Sequence, residues 1–313
     1  MNNSSKRKVA MVGIGDIAQK VYLPLLAHHE HAEVTGVMSR SEETVRRTAD
    51  RFRLEHGTTD LNELLSWNVD AVFVHSPTSS HYGIVKACLQ QGLPVYVDKP
   101  LSGDLTECRE LAAFAESKDI LLGVGFNRRF APLYLEAKAW MEASGGFDQA
   151  TALKHRTRKQ SGSAEETVFD DLIHMLDLLL WLGGDDFKID SRQLALDSEG
   201  RMHHASGVLN FDRARFGSYS MVRQAGMDVE KLEMHGGGRS VEVINLEQAQ
   251  LYEKGELPAT KTFGSWEPIL ERRGFAGAVN HFLECIDHPE HCSIRADRVL
   301  KSHELAARIA DNR

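Results

Sequence analysis

The chain has 313 residues, enough for two domains with separate cores, and its 42% hydrophobic and 26% charged residues are ordinary for a soluble globular protein. A formal net charge of −8 argues against nucleic acid as a general partner, because phosphate backbones require a basic face, and leaves only local basic clusters open. No apolar run reaches the length needed to cross a bilayer, so no membrane role is expected.

The polar, basic stretch Met1 to Lys8 leads into an apolar run that Gly13, Gly15 and Asp16 cut short, and it reads as the approach to a first strand rather than a signal peptide. Lys8 to Val12 is followed by Gly13-Ile14-Gly15-Asp16-Ile17-Ala18 and then a helical pattern through Leu23, Leu25 and Leu26. A strand, a glycine turn and a helix in this order suit a dinucleotide. Gly13 permits the tight turn, Gly15 lets the backbone approach a pyrophosphate, and small Ala18 lets helix and strand pack closely. The helix start at Asp16 and Ile17 presents N–H groups and a positive dipole end to the phosphates.

Further strand-like segments at 33–38, 71–74, 95–97 and 120–124 alternate with helical patterns near 42–52, 80–91 and 104–117. This predicts an α/β fold, a doubly wound parallel sheet, in a first domain over residues 1–123. The second strand ends at Met38-Ser39-Arg40-Ser41, without the acid that usually binds a ribose 2′-hydroxyl. A hydroxyl at Ser39 and the Arg40 fork suit a 2′-phosphate instead, which favours NADP(H), with NAD(H) as the alternative; Arg40 stacked on adenine or solvated is the plainer reading. After the third strand, Ser76, Pro77, Thr78 and His81 border the same crevice, and the Ser/Thr cluster also suits a helix cap.

The fourth strand stops at Asp98-Lys99-Pro100, which sets a lysine at the C-terminal mouth of the sheet, where open α/β folds bind ligands; a solvated lysine is the plain alternative. Residues 123–132 then carry Asn127 and Arg128 to that mouth. From Gln149 the pattern changes to alternating segments at 149–158, 187–196, 203–211, 215–223, 228–235 and 239–245, predicting a mostly antiparallel sheet with one face free for helices or a second subunit. A strong helix over 168–182, stopped by Gly183-Gly184, carries Asp170, His174 and Asp177 at spacings that share one face. Such residues need partners if buried, and a capping acid with a satisfied core histidine is the alternative. The basic run Lys154 to Lys159 raises an anionic substrate, with a solvated strand edge as the preferred reading. His288, His291 and Cys292 lie across a Pro-containing loop with no partner pair, so no metal site is expected. The four cysteines form no Cys-x-x-Cys pair and read as reduced thiols of a cytoplasmic protein.

Gly13-x-Gly15-x-x-Ala18, Asp98-Lys99-Pro100, Gly125-Phe126-Asn127-Arg128-Arg129-Phe130-x-Pro132 and Asp170-x-x-x-His174-x-x-Asp177 occur in this order over nearly the whole chain. Together they resemble the glucose-fructose oxidoreductase, inositol dehydrogenase and MocA family, and most of all its bacterial MviM-type group, which is labelled as candidate virulence factors. The resemblance implies a Rossmann domain followed by an α+β domain over 124–313 with an open antiparallel sheet. It implies a nicotinamide-dependent dehydrogenase of sugars or polyols, and the free face of the second sheet suits a homodimer or homotetramer. By matching position Lys99 would be the catalytic lysine, His174 the proton-transfer histidine and Asp170 its partner or a substrate ligand. Asn127 and Arg128 would border the nicotinamide and the substrate. Asp98 stands where the family usually has glutamate, which leaves its cofactor contact open, and Lys99-Pro100 would be cis. A cofactor-binding sensor without turnover and a purely structural partner are the alternatives from other classes.

Overall fold

The structure, a computed structural model, describes residues 6–212 and 215–311, so the first five residues of the polar N-terminal stretch lie outside it. Six parallel strands build the first sheet: β1 (Arg7–Val12), β2 (Ala32–Met38), β3 (His56–Thr58), β4 (Ala71–Val74), β5 (Val95–Val97) and β6 (Leu122–Val124), in the order β3-β2-β1-β4-β5-β6. Val9 to Val12, all of β4 and all of β5 are at most 1% exposed. A parallel sheet is covered by its crossover helices on both faces, which is why these strands are written as unbroken apolar runs. The helix Glu42–Phe52 begins where the Ser41 side chain accepts the Thr44 N–H, and Leu105–Ser117 begins where Asp104 accepts the Thr106 N–H.

The chain forms two compact units. One takes the residues through Phe126 together with Ala278–Leu300, and the other takes Asn127–Gly277 together with the chain from Lys301. The sequence suggests one cut near residue 123, whereas the division found is discontinuous. The later segment packs into the first unit's core: Phe282 sits edge-on to Phe73 and Tyr96, and the Val124 N–H donates to the Ile294 carbonyl at 2.9 Å.

The second unit holds an eight-stranded sheet made of β7 (Gln149–His155), β8 (Phe187–Leu196), β9 (Met202–Phe211), β10 (Phe216–Val222), β11 (Val229–Gly236), β12 (Arg239–Ile244), β13 (Gln248–Glu253) and β14 (Ala259–Thr262). They are ordered β14-β13-β12-β11-β7-β10-β9-β8. All neighbours are antiparallel except β7 and β10, which run parallel. The preferred reading of the basic run as a solvated edge is corrected here. Strand β7 lies inside the sheet, and Ala150, Ala152 and Lys154 alternate onto its buried face. Strand β14 is exposed at every position and β3 has three residues, so neither carries an alternation that the sequence could reveal.

The helix over 164–183 opens with a capping box in which Ser163 and Glu166 exchange side-chain and backbone bonds. A π turn, Val168–Leu172, follows, where the Ile173 N–H reaches back to the Val168 carbonyl; Ile173–Gly183 then continues as α-helix.

Candidate active site

In the first unit the chain leaves β1 through Gly13, whose φ is +88° and whose N–H donates to the Met38 carbonyl at 2.9 Å. A Cβ at Gly13 would stand 2.3 Å from the Ser76 nitrogen, so only glycine fits the crossing of these two strand ends. Gly15 is the opposite case: a Cβ added there would meet nothing within 4 Å. The helix starts at Asp16, with the Gln19 N–H donating to the Gly15 carbonyl at 3.0 Å; Ala18 is fully buried, and exposed Asp16 pairs with Lys20 at 2.6 Å. Open space over a glycine beside a helix start fits the pyrophosphate of a dinucleotide.

At the end of β2 the Ser39 N–H donates to the Thr58 carbonyl at 3.2 Å, Ser41 serves as the cap of the next helix, and Arg40 is exposed. Beyond β4, buried His75 stacks on Tyr22 with ring centroids 3.8 Å apart. Burial, and then the neighbouring His81, push its pKa down to about 3, so it serves as a neutral aromatic surface. His81 is 1% exposed and places Nδ1 2.9 Å from the Pro100 carbonyl and Nε2 2.8 Å from the Ser76 carbonyl. It therefore ties the loop after β4, which also carries Pro77 and the Thr78–Ser80 turn, to the loop after β5. There the Asp98 N–H donates to the Val74 carbonyl at 2.9 Å, and its carboxylate accepts the Lys99 N–H at 2.9 Å. The Lys99–Pro100 bond is cis.

In the second unit Asn127 donates through Nδ2 to the Arg273 carbonyl at 2.7 Å and accepts from Arg128 at 3.2 Å. Arg128 donates through Nε and one terminal nitrogen to both oxygens of Glu230, each at 2.9 Å. Its other terminal nitrogen lies 3.3 Å from His174 Nδ1 and 3.2 Å from Nε2. An atom equidistant from both ring nitrogens cannot lie in the ring plane without striking the carbon between them, so this contact is to the face of the imidazole. Burial would raise the Glu230 carboxyl, but Arg128 and then Lys154 outweigh it and hold its pKa at about 2. For Lys154, burial and then Arg128 lower the pKa to about 8 against the pull of Glu230 and Asp171.

The three polar residues expected on one helix face have different surroundings. Asp170 is exposed and accepts from Gln160 at 2.8 Å. His174 is buried under Arg128. Asp177 is buried in a two-bond ion pair with Arg129, at 2.9 and 2.6 Å, and also accepts from Ser302 at 2.7 Å, so it holds the fold together. The residues the sequence analysis missed are Asp171, Glu230 and Arg223, which pair with Lys154, Arg128 and Asp171. One signal was present: alternation sets Lys154 on the face of Ala150 and Ala152, and a lysine on an apolar face requires a partner.

His288 and His291 flank Glu290 on the surface, while His281, Cys285 and Cys292 bring their ligand atoms within 4.8 Å of one another. The Ser293 N–H donates to His281 Nε2 at 2.8 Å, which places the ring proton on Nδ1, the nitrogen facing Cys285. That tautomer suits a hydrogen bond to sulfur rather than metal ligation. All four cysteines are free thiols.

The profile of the oxidoreductase family with an NAD-binding Rossmann fold matches residues 7–126, and that of the YceM-like C-terminal domain matches residues 132–254. YceM of Salmonella typhimurium, named as a candidate oxidoreductase, is 34% identical over 302 residues, which are 94% of this chain and 96% of that protein. The chain belongs to the Gfo/Idh/MocA family. A crystal structure of a dehydrogenase (MviM) from Clostridium difficile superposes on it with a TM-score of 0.91 at 30% identity, covering 99% of this chain and 100% of the other. Myo-inositol dehydrogenase Hyg17 of Streptomyces leeuwenhoekii is 30% identical over 188 residues, 56% of this chain and 55% of that protein. As a Gfo/Idh/MocA protein the chain is an oxidoreductase with an NAD(P)-binding Rossmann domain. Among the described residues no helix is long and apolar enough to cross a membrane.

Proposed function

We propose that the protein interconverts a hydroxyl and a carbonyl on a sugar- or polyol-like substrate, with NADP(H) preferred over NAD(H). The observation that carries this reading is the sharing of one parallel sheet by the open glycine turn at the end of β1 and Lys99 just past the end of β5. A myo-inositol dehydrogenase among the relatives supports a polyol-like substrate.

The dinucleotide would be held by Gly13, Gly15 and the backbone of Asp16 and Ile17, with Ser39 and Arg40 on its 2′-phosphate. Ser76, Pro77, Thr78 and Asp98 would line the crevice, His81 would position that lining through its two carbonyl contacts, and Asn127 and Arg128 would border the nicotinamide. When bound, the nicotinamide supplies the hydride acceptor for oxidation or the donor for reduction. Lys99 and His174 share the proton at the substrate oxygen, removing it for oxidation and returning it for reduction. Asp170 serves as a partner of His174 or a ligand of the substrate, and Arg128, anchored by Glu230, fixes the plane of the imidazole.

Turnover of NADP⁺ with a panel of polyols, and of NADPH with the matching ketones, tests the reading. Lys99→Ala should lose about 100-fold or more in kcat while folding and binding NADPH as the parent does. Full turnover by that variant on the true substrate would sink it. The same proposal includes a cytoplasmic dimer or tetramer joined through the open face of the eight-stranded sheet, which light scattering of the purified protein tests; a monomer would refute that part.

A further inference from the structure

We propose that the substrate is an anion, a sugar acid or a sugar phosphate, whose charged group is received by Arg156 and Arg223 beside Lys154. This inference rests on the dehydrogenase reading given above.

Inside the second unit the side chains of Arg128, Lys154, Arg156 and Arg223 surround two carboxylates, Asp171 and Glu230. Asp171 pairs with Lys154, lies 2.8 Å from Arg223 and stands 3.7 Å from Arg156. Glu230 is spent on the two-bond pair with Arg128 and lies 3.9 Å from Lys154. Two further carboxylates stand at the rim and keep their charge: Asp170, which accepts from Gln160 at 2.8 Å, and Asp228, which accepts from the N–H and hydroxyl of Thr157 at 2.7 and 2.8 Å. Within the cluster itself four cations therefore face two carboxylates, and the local excess of positive charge lies on the arginine side.

A protein can relieve such an excess by losing a proton or by binding an anion. Lys154 goes only part of the way along the first course, since burial and Arg128 bring its pKa to about 8 and leave it mostly protonated at neutral pH. The guanidinium groups cannot follow, because arginine stays protonated. Arg223 is 5% exposed, donates to Gln160 at 2.5 Å and to Asp171, and its buried Nε–H has no hydrogen-bond partner among the described residues. Arg156 is the way in: its side chain is 26% exposed, its Nε is beyond hydrogen-bond reach of Asp171, and one terminal nitrogen donates to the carbonyl of His155 at 3.2 Å. The planar fork of an arginine matches a carboxylate or phosphate with two parallel bonds. Through Glu230 and Arg128 the cluster is connected to His174, so the charged end of the ligand is tied to the group that handles the proton. A neutral polyol would leave the excess in place.

The test is calorimetric titration of the NADPH-loaded protein, which cannot oxidise a hydroxyl, with D-gluconate, D-glucose 6-phosphate, inorganic phosphate, D-glucose and myo-inositol. It is run on the parent, Arg156→Gln and Arg156→Lys. Arg156 is chosen because its partial exposure lets the variants fold where Arg223→Gln could fail. At least one anionic probe should bind about tenfold more tightly than the neutral sugars, lose about tenfold in Arg156→Gln and regain part of that in Arg156→Lys. Gluconate against glucose 6-phosphate distinguishes the carboxylate from the phosphate. Neutral probes binding as well as the anions, no anionic probe binding at all, or Arg156→Gln leaving anion affinity unchanged would each overturn the proposal. Binding is read without turnover, so the two readings fail separately. Anion binding together with full turnover by Lys99→Ala removes the catalytic assignment, and oxidation of neutral polyols with anions unbound removes this one.

Discussion

Arg128 and Glu230 are joined by two hydrogen bonds of 2.9 Å, and both side chains are almost wholly buried. Glu230 stands on β11 and Arg128 in the short turn after β6, so the pair fastens that turn to the sheet and, through the remaining nitrogen, sets the ring of His174. Removing one member of a buried pair strands the other charge. Glu230→Gln should therefore lower the unfolding free energy by about 3 kcal/mol, measured by urea denaturation. A variant as stable as the parent would show that the pair does not hold the turn.

The same pair makes stability depend on pH in one direction. Burial opposes ionisation of Glu230 and Asp171, but the cations beside them bring both pKa values to about 2, below the ordinary 4.5 and 3.8. A carboxylate depressed in the folded state stabilises fully above its unfolded value, and that contribution drains away as pH falls through the folded one. The melting temperature should accordingly drop between about pH 5 and pH 2, and less steeply in Glu230→Gln. Equal slopes for the two proteins would argue against the assignment.

The glycines of the turn should separate folding from cofactor binding. Gly13→Ala combines a φ of +88° with a Cβ set against the Ser76 backbone, and it should cost about 1–3 kcal/mol of stability. Gly15→Ala meets nothing in the protein, so melting should stay at the parent value. Its NADPH affinity, read by fluorescence titration, should fall about tenfold, because the methyl group occupies the space proposed for the pyrophosphate. Unchanged affinity in Gly15→Ala would move the cofactor elsewhere.

In the proposed reading Arg40 sets the preference for NADP(H). Arg40→Ala should weaken NADPH binding by about tenfold or more, the worth of a charge-assisted hydrogen bond, and leave NADH binding as it was. Parallel loss for both cofactors, or none for either, would mean that the guanidinium does not meet a 2′-phosphate.

The parts of the fold that were legible in the sequence are those that neighbouring residues determine. The apolar runs of β1, β4 and β5, the glycine turn and the alternation of β7 to β12 each follow from local periodicity and turn chemistry. The position of Lys99 past a strand end and of His174 on a helix was legible for the same reason, whereas the roles proposed for them come from the family resemblance. What local pattern could not decide is which strands become neighbours and which distant segments pack together. The parallel pairing of β7 with β10 buries Lys154 instead of leaving it at an edge, and only then does it meet Asp171 from the π turn and Glu230 from β11. Likewise residues 278–300 join the first unit because Phe282 fills space beside Phe73 and Tyr96. Alternation says which face a side chain takes, while register and strand order say what waits on that face; the buried charges, unlike the apolar strands, depend wholly on the second.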